Sequence, residues 1–150
     1  MRRSLDVAAV LARVGLGLVV LWAGAVTAFD PDASISAVAG YRLLPGWAEE
    51  AVGLTLPWAE VALGILLVLG IATRATAVAT GVLLTGFLVA MISARARGLQ
   101  ISCGCFGASE GEGITLVEIA RDIGLLALAG LVAWVGTRAW GVDRWLERRV

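Results

Sequence analysis

Residues 54–72 run LTLPWAEVALGILLVLGIA, with Glu60 the single charge among leucine, isoleucine, valine and alanine. A stretch of that length and apolarity suits a helix crossing the bilayer's hydrocarbon core, which takes roughly 20 residues. In lipid the backbone must satisfy its own hydrogen bonds, so the helix is the natural form. The alternating polar pattern of a membrane barrel is absent. Three further windows resemble it: about 7–29 with Arg13, about 75–93 with no charge, and about 114–135 with Glu118, Arg121 and Asp122. The expectation is an all-α chain, a four-transmembrane-helix bundle forming a single integral membrane domain over residues 1–150.

Composition agrees with a lipid environment. Hydrophobic residues make up 59% of the 150 and charged residues 16%, and mean hydropathy is +0.89. A soluble domain of this size needs more polar surface. All 12 basic residues are arginine and the net charge is zero, which gives no nucleic-acid-binding balance. Histidine is absent, which removes the commonest general base and most zinc or iron sites, so no metal centre is expected.

Arginine placement sets the expected orientation. Arg2, Arg3, Arg74, Arg138, Arg144, Arg148 and Arg149 fall on one side, against Arg42, Arg95 and Arg97 on the other. The larger group places both termini in the cytoplasm. Two loops, Asp30–Gly53 and Ala94–Gly113, are then extracytoplasmic. Trp47 and Trp58 near one face, and Trp140 and Trp145 near the other, suit interfacial belts. Arg2 and Arg3 ahead of an apolar run imitate a signal peptide, but the run is long for one and Asp6 and Arg13 interrupt its start, so an uncleaved first helix is favoured. Residues 138–149 alternate apolar and charged side chains and suit either a short helix on the inner membrane surface or a solvated tail.

Ile101-Ser102-Cys103-Gly104-Cys105-Phe106-Gly107 contains the two cysteines of the chain. Gly104 gives the bend that a ring closed by such near neighbours needs. Tight exposed disulfides are strained, and strained ones tend to be the labile, catalytic ones. Arg95 and Arg97 lie a few residues upstream and would favour the thiolate if they fold near it. The N-terminal dipole of the helix that follows acts in the same direction. A static structural bridge, a soft-metal pair and two unpaired buried thiols are the competing readings.

Charges inside spanning helices are costly and face the bundle interior. Glu60 and Arg121 lie at similar depths from the extracytoplasmic ends of their windows, about 10 Å at 1.5 Å per residue. They are natural ion-pair partners, with Glu118 and Asp122 on neighbouring parts of one helical face. This cluster is expected beneath the cysteine loop, either as a clamp between helices or as the lining of a quinone pocket or proton path. Arg13 is expected to snorkel to the inner surface. Gly15, Gly17, Gly24, Gly81 and Gly86 are expected to allow close helix packing.

The order and spacing of these residues resemble a known family. Cys103-Gly104-Cys105-Phe106-Gly107 followed by Arg121-Asp122, and Leu56-Pro57-Trp58-Ala59-Glu60 with Gly64, look like the MauE branch of the DoxX-like membrane proteins. Tyr41-Arg42-Leu43-Leu44-Pro45, and Arg13 with Gly17 and Ala23-Gly24, fit the same pattern. The resemblance runs from about Arg13 to Gly130. It implies a four-helix protein of the bacterial plasma membrane that works with a thioredoxin-like extracytoplasmic partner in methylamine utilisation, forming disulfides as methylamine dehydrogenase matures.

The expected function is therefore the membrane component of a thiol–disulfide redox system. Cys103 and Cys105 would cycle between dithiol and disulfide, and electrons would pass between the partner and the membrane, with a quinone as the speculative acceptor. The alternative is a non-catalytic scaffold or assembly subunit in which the same cysteines form a structural bridge.

Overall fold

The computed structural model describes residues 2–99 and 116–135. Over these it is helical throughout: α1 (Arg2–Ala28), α2 (Pro31–Gly40), α3 (Gly46–Leu69), α4 (Thr73–Ala96) and α5 (Leu116–Val135). Within them, Val7–Ala28, Gly46–Leu69 and Thr73–Ala96 are long and apolar enough to cross a membrane. The α5 helix carries Glu118, Arg121 and Asp122 along its 20 residues. Residues 138–149, expected as an interfacial helix, lie outside the described residues.

Two boundaries depart from expectation. The supposed loop between Asp30 and Gly53 is mostly helix. Asp30 caps α2 by accepting a hydrogen bond from the Ala33 N–H at 3.0 Å, and Pro31 stands in the first turn with Asp32 behind it. A capping carboxylate, proline in the first turn and a further acid near the positive helix end are all favourable there. The α3 helix begins at Gly46, not near Leu54, because its first two turns are too polar to register as membrane span.

The burial pattern is that of a protein in lipid. Large apolar side chains point outward, among them Trp22 at 65% exposure, Val82 at 68% and Trp134 at 90%. Arg13, Glu60, Asp122, Thr73, Thr76 and Thr80 are buried. In water such an exposed apolar surface would be a liability; against acyl chains it is the solvated face. The buried threonine hydroxyls stay satisfied by local acceptors, with Thr80 donating to the Thr76 carbonyl at 2.9 Å and Thr76 to that of Ile71 at 3.1 Å.

The helices run alternately up and down. The α1 helix packs chiefly on α3 and also on α5, α4 packs on α5, and α2 lies across α3. A core of Leu16, Val20, Leu67, Ala77, Leu84, Ala129 and Val132 joins the four long helices.

Three glycines set the α1–α3 distance. A Cβ on Gly64 would come within 2.7 Å of the Leu21 backbone nitrogen, and one on Gly24 within 2.7 Å of the Pro57 carbonyl oxygen. One on Gly17 would meet Leu67 Cβ at 3.0 Å. Small residues let helix backbones approach in lipid, where dispersion contacts and not hydrophobicity hold helices together. The expectation for Gly15 and Gly86 does not hold, since each has open space where a Cβ would stand; Gly81 has only ordinary contact with α5.

Pro57 lies inside α3 and has no N–H to give to the Gly53 carbonyl one turn earlier. The Ser34 hydroxyl of α2 fills that role, donating to the Gly53 carbonyl at 2.7 Å in a buried setting. Gly53 permits the approach, because a Cβ there would meet Ile35 Cα at 2.7 Å. One sequence feature in α3 therefore decides where α2 docks.

Two stability outcomes follow. Gly64→Ala or Gly24→Ala should lower stability by about 1–3 kcal/mol through overpacking. Gly15→Ala and Gly86→Ala should be neutral or slightly stabilising, as expected of an open helical glycine; thermal melting in detergent separates the two groups. Ser34→Ala should cost about 1–3 kcal/mol by stranding the Gly53 carbonyl. In a Pro57→Ala background, where an N–H returns to that carbonyl, the same change should cost far less, and a double-mutant cycle reads the difference.

Candidate functional site

Glu60 is brought inward by the α1–α3 contact. Gly24 stands directly opposite, since a Cβ there would lie 2.7 Å from Glu60 Cβ. Glu60 is 4% exposed and Asp122 5%. Together with Arg121 they wall one cavity among α1, α3, α4 and α5, otherwise lined by apolar groups including Val20, Ala23, Leu84, Phe87, Met91 and Leu125. Two helices far apart in sequence thus bring Glu60 and the Arg121-Asp122 pair to one place. Glu118, a turn earlier on α5, is half-buried and stands outside this wall.

The cavity holds about 30 Å³ of space for water. One water position needs roughly 10–15 Å³ by that measure, so the site takes a water or two. The Asp122 Oδ2 atom is buried and receives no hydrogen bond from any described group.

A second cavity of about 40 Å³ lies under α2, lined by Thr27, Ser34, Tyr41, Pro57, Glu60 and Phe87 among others. Glu60 and Phe87 wall both cavities. The Phe87 and Met91 side chains also belong to the apolar cluster that holds Ala94, Leu99 and Ile119. Leu99 and Ile119 flank the segment that carries Cys103 and Cys105, so both cavities sit at the end of the bundle from which that segment departs. The cysteines themselves lie outside the described residues.

Arg95 and Arg97, expected near the thiols, end α4 at that same face. Arg97 donates to the Tyr41 carbonyl and, at 3.3 Å, to the Arg42 carbonyl. It thereby puts a cation on the carbonyl end of α2, where the helix dipole favours one. Tyr41 and Arg42 close α2, and Arg42 adopts the left-handed conformation at φ 48°.

Arg13 does not snorkel. It is buried at 6% exposure with its guanidinium packed against Gly70, so a Cβ on Gly70 would overlap it. Gly70, at φ 70°, ends α3 in a left-handed turn in which the Gly70 and Ile71 N–H groups return to the Leu66 carbonyl at 2.9 and 3.0 Å. Arg13 thus sits at the negative end of the α3 dipole. Among the described residues no group of three or more acidic or thiol side chains is set to hold a metal ion.

Sequence reasoning missed Ser34, Phe87 and the docking of Arg13 and Arg97 on helix ends. Pro57 in a spanning helix was the available signal for Ser34, since it announces an orphaned carbonyl at Gly53. Phe87 carried no signal, because one aromatic in an apolar helix looks like core.

These features define a class: a multi-pass helical membrane protein with a buried polar cavity near one membrane face. A family model, Methylamine utilisation protein MauE, matches residues 5–135. The chain belongs to the MauE family. It is 32% identical over 99 residues to Methylamine utilization protein MauE of Methylorubrum extorquens, covering 65% of this chain and 53% of the relative. It is 35% identical over 97 residues to the protein of the same name from Paracoccus denitrificans, covering 64% and 52%. The chain spans about half the length of these relatives. No solved structure matches it.

The Arg97 contact carries its own test. Arg97→Met should speed backbone hydrogen exchange in the α2–α3 connection around Tyr41 and Arg42, while the α1–α3 contact stays protected. Mass-spectrometric exchange in detergent reads both regions.

Proposed function

We propose that this protein is the membrane component of an extracytoplasmic thiol–disulfide system serving methylamine utilisation. Cys103 and Cys105 alternate between dithiol and disulfide, exchanging with a thioredoxin-like partner. The observation that carries this reading is a coincidence of place. The chain leaves α4 and enters α5, with Cys103-Gly104-Cys105 between them, at the end of the bundle where Glu60, Arg121 and Asp122 converge. Family membership adds a function in which the relatives are named for methylamine utilisation.

The architecture follows from the same reading. Four spans in a DoxX-like arrangement, with α5 as the fourth, place both described ends of the cysteine segment outside the plasma membrane and the termini inside. The α5 charges are tolerable in a span because Arg121 and Asp122 turn into the bundle cavity and not into lipid. The extracytoplasmic face is an oxidising compartment, where a disulfide persists. Arg95, in the last turn of α4, and the start of α5 would both favour a thiolate nearby.

Chemically, oxidation of the pair forms one S–S bond, breaks two S–H bonds and releases two electrons and two protons. A quinone matches that stoichiometry as membrane acceptor.

Thiol alkylation across a redox-buffer series measures the reduction potential of the pair in detergent. A reversible transition above about −250 mV, the range of oxidoreductase dithiols, is the expected result. A pair locked oxidised below about −300 mV would be a structural bridge and would turn the reading to a scaffold.

A further inference from the structure

We infer that the two cavities that share Glu60 as a wall together form a water-filled proton route from the extracytoplasmic end of the bundle to Asp122. The route takes its purpose and its orientation from the thiol–disulfide reading, while the cavities and their lining are read from the geometry.

Both cavities meet the two requirements for holding water, which are room and polar partners. At about 30 and 40 Å³ each has space for at least one water. In the cavity under α2, the Thr27 hydroxyl donates to the Ala23 carbonyl at 3.0 Å and the Ser34 hydroxyl to that of Gly53 at 2.7 Å. Their protons are committed and their lone pairs remain to accept from water. Glu60 completes that polar set and is also a wall of the second cavity.

In the second cavity Asp122 Oδ2 is a buried acceptor to which no described group donates. An unmet buried acceptor costs about 1–3 kcal/mol, which a bound water removes. Arg121 lines the same cavity beside it. Glu60 is the one ionisable group common to the lining of both spaces, so in this route its carboxyl is the relay between the waters on either side. Phe87 is the apolar wall they share, and in this route it separates the water in one from the water in the other.

The route answers a problem of location. When the pair is oxidised by a quinone-class acceptor, two S–H bonds break at the outer face and two O–H bonds form within the membrane. Electrons and protons must both reach the acceptor, and lipid offers the protons no path. Glu60 acts here as a positioning and relay residue, away from the sulfur chemistry.

Two measurements test this on full-length protein in lipid vesicles. Solid-state NMR transfer of magnetisation from water to the side-chain carboxyl carbons should reach Glu60 and Asp122, and Phe87→Trp should weaken it at Asp122. Silence at Asp122 in the unmodified protein overturns the route, whatever the cysteines do. In the second, the reduced pair is reoxidised either by a long-tailed ubiquinone in the vesicle or by glutathione disulfide in the buffer. Glu60→Gln should slow the quinone reaction at least about tenfold and leave the glutathione reaction unchanged within about twofold. Equal slowing in both, or in neither, overturns the relay. If glutathione disulfide and ubiquinone both leave the unmodified pair untouched, the thiol–disulfide reading fails, while the NMR result still decides the route.

Discussion

The structure depends on how closely α1 and α3 approach. Gly17, Gly24 and Gly64 remove every Cβ that would hold the two backbones apart. In a bilayer, apolar side chains gain nothing by leaving lipid for protein, so association rests on dispersion contacts and on polar groups that lipid cannot satisfy. Both are present along this seam. The glycines give the contact, and Glu60, directly opposite Gly24, gives a polar group that must be enclosed. Separate the helices by the width of a methyl group and Glu60 faces acyl chains.

The helix ends follow a second rule, which is that a charge in the bundle goes where a helix dipole receives it. Arg13 meets the end of α3 and Arg97 the end of α2. At both ends the cation lies where the helix dipole is negative. The two contacts also fix the two ends of the molecule differently. The α3–α4 turn is tied to α1 by Arg13, and α2 is tied to α4 by Arg97. The first clamps the end away from the cysteine segment, the second the end near it.

Much of this was legible in the sequence because lipid imposes a strict length rule. The long helices appear as apolar runs, and the depth argument that brought Glu60 and Arg121 together needed only the helix rise. What escaped were features that apolarity does not encode. The first turns of α3 are polar and sit outside the apolar window, so its start was placed late. The α2 helix is too short for a span, yet Asp30-Pro31-Asp32 spells a helix start on capping chemistry alone. Snorkelling is the expectation for Arg13 because a cation near a helix terminus usually does so; the αL turn at Gly70, against which its guanidinium packs, is tertiary and invisible in the sequence. Spacing groups Glu118 with Arg121 and Asp122 on one helical face, but the cavity takes in only the latter two, because Glu118 stands a full turn earlier on α5.

Pro57 and Glu60 show how one segment serves both structure and site. They lie one turn apart on α3, and both are buried. Pro57 frees the Gly53 carbonyl, and Ser34 reaches across to meet it, drawing α2 over the first half of α3. That placement puts α2 residues, Ser34 among them, in the wall of a cavity beside Glu60. The same proline presents its carbonyl oxygen to Gly24, at the seam that keeps Glu60 inside. A residue that would disrupt a soluble helix here organises three elements, and the only buried carboxylate of α3 falls at their junction.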